Sequence, residues 1–152
     1  MEINKIKVKD NDIEIIYDLP PQSSSNERKT VKFFCNEEPR VSFFNAMNGL
    51  LDEAIEFCGL DPDTWSEGEV TGVTLKHSDD GVGINITVQN KINDLAVIVN
   101  TPHISKALVS DELQRRIDKL LAESAAYIQG QRSQMSLFDA KEEVVVRQFQ
   151  MQ

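Results

Sequence analysis

Reactive side chains are scarce in this sequence: it has two cysteines and two histidines. Cys35 and Cys58 lie too far apart for a C-x-x-C redox pair, and two thiols make no disulfide framework, which fits a reducing cytosol. A Cys2His2 metal set would have to draw in His77 and His103, and no pair among the four has the close spacing of a zinc finger. Two small apolar thiols and two ordinary imidazoles are the preferred reading, so neither a metal nor a cofactor is expected. Long apolar runs are missing too, and the opening MEINKIKVKD carries charges where a signal peptide would be apolar. A cytoplasmic protein with no membrane partner is expected. Basic residues are the minority, 16 against 25 acidic ones for a net charge of -9, the wrong sign for neutralising phosphates. No direct binding of nucleic acid is expected.

Catalytic patterns are absent as well. The sequence has no G-x-S-x-G, no phosphate-cradling G-x-x-x-x-G-K-[ST] and no H-E-x-x-H, and no nucleophile stands in a recognisable context. Asp79-Asp80-Gly81-Val82-Gly83 reads as a hairpin turn before it reads as a phosphate or metal loop. His103, after Asn100-Thr101-Pro102, reads as a turn residue. The expectation is a non-enzymatic protein with no catalytic residues.

What the sequence does contain is strong periodicity. Alternation in Ile3–Val8 and Ile13–Tyr17 marks two strands around the turn-prone Asp10-Asn11-Asp12, and residues 30–35 (TVKFFC) supply a third. Between them, residues 19–26 (LPPQSSSN) read as a mobile loop, because two prolines and three serines sustain neither ladder nor helix. From Phe43 to Cys58 the period lengthens to that of an amphipathic helix, with Ser42 as its expected N-cap and Gly59 as its stop. After a loop over residues 61–68, strands are expected over 70–78 and 84–89, joined by a hairpin. The apolar run LAVIVN, residues 95–100, reads as a buried sixth strand. Ser110, Asp111 and Glu112 then open a second helix whose stripe is Leu113, Ile117, Leu120, Leu121, Ala125 and Ile128, and Gly130 ends it. The 152 residues suit one domain. The fold class expected is α+β: a mainly antiparallel sheet in the order βββα-βββα, with two helices packed on one face. Residues 1–130 form the domain, and residues 131–152 are expected to be a flexible C-terminal tail.

Two features bear on function. From Val41 to Leu75 there are seven acidic residues (Asp52, Glu53, Glu56, Asp61, Asp63, Glu67, Glu69) and no Lys or Arg. A solvated negative face accounts for them; the functional alternative is an acidic surface that mimics DNA and inhibits a nuclease or defence protein. The second feature is Gln134-Met135-Ser136-Leu137-Phe138, just past the last helix. It resembles the pentapeptide by which bacterial polymerases and repair proteins dock on the replicative sliding clamp: Gln, Leu or Met, Ser or Asp, then Leu-Phe. All five positions agree. A continued helical stripe does not explain the segment, because Gln131 and Arg132 stand where an apolar residue would be needed.

Beyond the pentapeptide, the layout resembles a family of small acidic phage and prophage proteins. They open with I-x-K-I-K-V, carry a strand ending in N-T-P-H and close with a Gly-x-Arg-x-Gln-x-x-Leu-Phe tail. Here these pieces are Ile3–Val8, Asn100–His103 and Gly130–Phe138. The resemblance implies a phage product acting in the host cytoplasm around DNA replication or recombination, with the sliding clamp as partner and no catalytic residues.

Overall fold

A computed structural model of the chain describes residues 1–10, 12–21 and 29–132. Six strands form one sheet: β1 (Glu2–Lys9), β2 (Asp12–Leu19), β3 (Lys29–Cys35), β4 (Glu69–Ser78), β5 (Gly81–Ile92) and β6 (Leu95–Asn100), in the spatial order β3-β2-β1-β4-β5-β6. Every pairing between neighbours is antiparallel, so the α+β class with an antiparallel sheet holds. Helices α1 (Val41–Asn48), α2 (Leu51–Cys58) and α3 (Pro62–Trp65) separate β3 from β4, and α4 (Asp111–Ile128) follows β6, so the expected order βββα-βββα with two helices becomes three strands, three helices, three strands and a fourth helix among the described residues. No helix among the described residues is long and apolar enough to cross a membrane.

The register explains the core. Ile6 pairs with both Ile15 and Val73, and Val73 pairs with Ile86, so alternation sends these aliphatic side chains to one side of the sheet. There they join Phe43, Met47, Leu50, Leu113, Ile117, Leu120 and Tyr127 in one buried cluster. Contacts run from α1 to α4 and β4, and from α2 to β5.

Four local expectations change. The single helix expected from Phe43 to Cys58 is two helices, although its apolar stripe stays buried through Met47, Leu50, Leu51, Ala54 and Ile55. Leu50 N–H bonds to the Met47 carbonyl at 3.1 Å, a tighter i→i+3 turn, and the freed Gly49 carbonyl accepts from the Arg116 guanidinium on α4. Ser42 is not the cap either: the helix starts after Arg40, and Ser42 Oγ donates instead to Glu123 Oε1 at 2.7 Å. Residues 61–68 are not all loop, because Pro62 opens the short α3 and buries Trp65.

The fourth change concerns residues 95–100. This strand is not buried; it is the outer edge, with Leu95 68% and Ile98 61% exposed. The turn Asn93-Asp94, both at positive φ, folds it back on the outside of β5, and an apolar run alone does not tell a central strand from an edge.

Other local signals hold. Ser110 Oγ accepts from Leu113 N–H at 3.1 Å as the cap of α4, and Gly59 closes α2 in the left-handed region at φ 64°.

Candidate functional site

The C-terminal end of α4 is held by a cluster that begins with Tyr127. Its ring is buried between Phe33 and Phe43, each at a centroid distance of 5.9 Å, and its hydroxyl donates to the Glu37 carbonyl at 2.5 Å. Burial raises the phenol's pKa above its ordinary value, so it stays a neutral donor. Arg132 then folds back over this ring, its guanidinium carbon 4.1 Å from the centroid. Nη1 donates to the Tyr127 carbonyl at 2.6 Å, Nε to Glu37 Oε1 at 2.9 Å, and Nη2 to Cys35 Sγ at 3.4 Å. Only 6% of the residue is exposed. The packed domain therefore reaches Arg132, past the expected end at Gly130, and a trypsin cut there is disfavoured by burial. Sequence reading missed this because a lone arginine after a helix-ending glycine looks solvated. Its signal was Glu37, whose side chain comes near only through the fold.

Arg132 fixes the chain two positions ahead of Gln134. The candidate clamp-binding residues Gln134, Met135, Ser136, Leu137 and Phe138, with the rest of 133–152, lie outside the described residues. Residues 22–26 of the expected loop do as well.

The seven acidic residues do not form one uniform patch. Asp52, Glu53 and Glu56 stand on α2, and Asp52 and Glu56 line a depression with Leu51, Ile55 and Leu60. Glu53 is half-buried, and its carboxyl pKa is raised by that burial and by Glu56, partly offset by Arg116 from α4. The missing base thus arrives from a distant stretch of sequence. Asp61 accepts from Thr64 Oγ1 at 2.6 Å, which holds its carboxyl below the ordinary range; Asp63 and Glu67 are exposed nearby in sequence. Glu69 lies elsewhere, in a cleft of about 970 Å³ where β1 and β4 part. These strands pair only over Lys5–Lys7 with Gly72–Thr74, and a bulge at Val70/Gly72 turns β4 away. Lys5, Lys7 and Lys9 line the same cleft, which has no histidine or cysteine in its wall.

The cysteines and histidines have separate partners. Cys35 touches Arg132, Cys58 Sγ lies 3.8 Å from the Asn100 carbonyl, His77 Nε2 is 2.6 Å from the Ile3 carbonyl, and His103 Nδ1 is 3.0 Å from Asn85 Oδ1. Among the described residues no three His, Cys, Asp or Glu side chains are grouped to hold a metal ion. The N-T-P-H segment has a structural task. Thr101 is buried and bonds twice to Ile86, its N–H to the carbonyl at 2.8 Å and its Oγ1 from the amide at 2.9 Å. No protein-family model, curated protein or solved structure matches this chain. The chemistry of its own residues carries the functional reading.

Proposed function

We propose that this chain is a phage-type, non-enzymatic binding protein of the bacterial host cytoplasm. In this reading its α+β domain, with α1, α2 and α4 set against one face of the sheet, presents Gln134–Phe138 to the DNA polymerase sliding clamp. The observation that carries the reading is the full match of Gln-Met-Ser-Leu-Phe to the clamp-docking pattern. By average residue usage so full a match arises by chance in well under about one chain in a hundred. The position of the peptide supports it: among the described residues the last helix ends at Ile128, and Arg132 ties the backbone just ahead of Gln134 to the domain.

Leu137 and Phe138 entering an apolar pocket would contribute roughly 1.5 to 3 kcal/mol each before ordering costs, and Gln134 adds directional hydrogen bonds. Because the peptide orders on binding, one copy binds with affinity of roughly micromolar order. Docking has two consequences, recruitment of this domain to replicating DNA or occupation of the pocket against host polymerases. A polymerase-competition assay separates them. The deciding experiment measures retention of the full chain by purified clamp. Leu137→Ala with Phe138→Ala is expected to weaken it at least about a hundredfold while circular dichroism stays unchanged. Undiminished retention refutes the reading. The acidic-decoy alternative receives less support, since Glu69 stands apart from the α2 acids and Arg116 offsets Glu53.

A further inference from the structure

Strand β5 outruns its inner partner. Glu69 at the start of β4 pairs with Gln89, whereas Asn90, Lys91 and Ile92 pair only with Val97, Ala96 and Leu95 of β6. The end of the β5–β6 hairpin is therefore a two-stranded arm, tied to α3 by a 2.8 Å bond from Asn90 Nδ2 to the Thr64 carbonyl. Two strands alone are marginally stable in water, and this pair leaves aliphatic surface exposed at Leu95 and Ile98. The outer side of β6 has no strand partner among the described residues. From Leu95 to Asn100 it contains no charge and no proline, the devices that ordinarily keep a free edge from pairing.

We propose that β6 pairs antiparallel with β6 of a second copy of this chain, joining two six-stranded sheets across a two-fold axis. The strand is complementary to itself. In the register centred on Val97, Leu95 faces Val99, Ala96 faces Ile98 and Val97 faces its own copy, so every pair is aliphatic. Charge allows the approach: each chain carries -9, yet along this seam Asp94 meets Asn100 and no like charges oppose. The opposite edge lacks this property, because β3 paired with itself about Lys32 sets two ammonium groups face to face. The pairing stands independently of clamp docking. One consequence does rest on that reading: a dimer carries two copies of Gln134–Phe138, and avidity on a ring of equivalent pockets strengthens a weak peptide.

The experiment is sedimentation equilibrium of the full chain at micromolar concentration, without clamp. The expected mass is twice the 17.2 kDa of one chain. Ile98→Glu, at a side chain exposed in the single chain, places a carboxylate in the seam twice and is expected to raise the dissociation constant about a hundredfold with an unchanged circular dichroism spectrum. Leu95→Lys is expected to act in the same direction. A full chain that stays at the mass of one copy overturns the proposal, including the case in which residues 133–152 cover β6. A dimer that neither substitution weakens overturns it equally.

Discussion

The two edges of the sheet manage the same hazard in different ways. Strand β3 pairs along its whole length with β2 and keeps Lys29, Thr30 and Lys32 exposed, and the Lys32 ammonium lies 5.2 Å from the centroid of the exposed Phe34 ring. An edge carrying lysines repels its own copy, so its aromatic surface is safe in solution. Strand β6 has aliphatic side chains only, apart from Asn100, and its first half pairs with the end of β5 that outruns β4. The interior behind the two edges also differs. Beside β3 lies the buried Arg132 with its half-buried partner Glu37, while on the β5 side lies α2 with its acids. An edge can thus be closed by charge or left for a partner, and side-chain chemistry separates the two cases where backbone geometry does not.

The largest effect expected is a contrast within the β5–β6 hairpin. Ile86, fully buried in the second-last strand, is expected to lose about 2–5 kcal/mol of unfolding free energy on change to Ala. Ile98→Ala, on the edge strand, is expected to cost under about 0.5 kcal/mol in the monomer. Urea denaturation at protein concentrations low enough to dissociate the proposed dimer measures both, and equal losses would abolish the distinction between edge and centre.

Next in size is the cluster beside β3. A chain ending at Arg132 is expected to keep the stability of the full protein, whereas one ending at Gly130 loses the guanidinium from a buried site. The loss is expected to be roughly 1–3 kcal/mol, since the Glu37 carboxylate keeps part of its hydration. Thermal unfolding of the pair is expected to differ by about 3 °C per kcal/mol. Arg132→Lys is expected to recover little, because an ammonium lacks the planar fork that reaches Glu37, the Tyr127 carbonyl and Cys35 together. Identical melting of the two truncations would return the domain boundary to Gly130.

The smallest effect expected lies on the α2 side. Folding raises the Glu53 pKa, so the folded chain binds more protons than the unfolded one and stability falls as pH rises through the carboxylate range. Glu53→Gln is therefore expected to stabilise modestly at pH 7, with the effect fading as pH falls and vanishing well below the ordinary carboxyl pKa of about 4.3, where both states are protonated. Melting temperatures across that range check the sign, and stabilisation confined to low pH would contradict it.

The sequence by itself determined what depends on near neighbours. Alternation in β2, the Ser110 cap, the left-handed stop at Gly59 and the first half of the α4 stripe, Leu113, Ile117 and Leu120, follow from rules that act within a few residues; farther along α4 the buried side chains are Ser124 and Tyr127 in place of the expected Ala125 and Ile128. Gln134–Phe138 is also a contiguous pattern, and it lies outside the described residues, so its proposed docking role rests on the sequence alone. Tertiary structure alone decided which apolar strand lies at the edge, since LAVIVN is apolar in either position and only the outward fold of the Asn93-Asp94 turn exposes it. It also decided the break between α1 and α2, where Arg116 from α4 takes the Gly49 carbonyl, and the burial of Arg132, whose carboxylate partner is 95 residues away in sequence. Hydrophobic period is a local property of the chain. Whether a charge is paired, or an apolar surface covered, depends on groups that only the folded chain brings within a few ångströms.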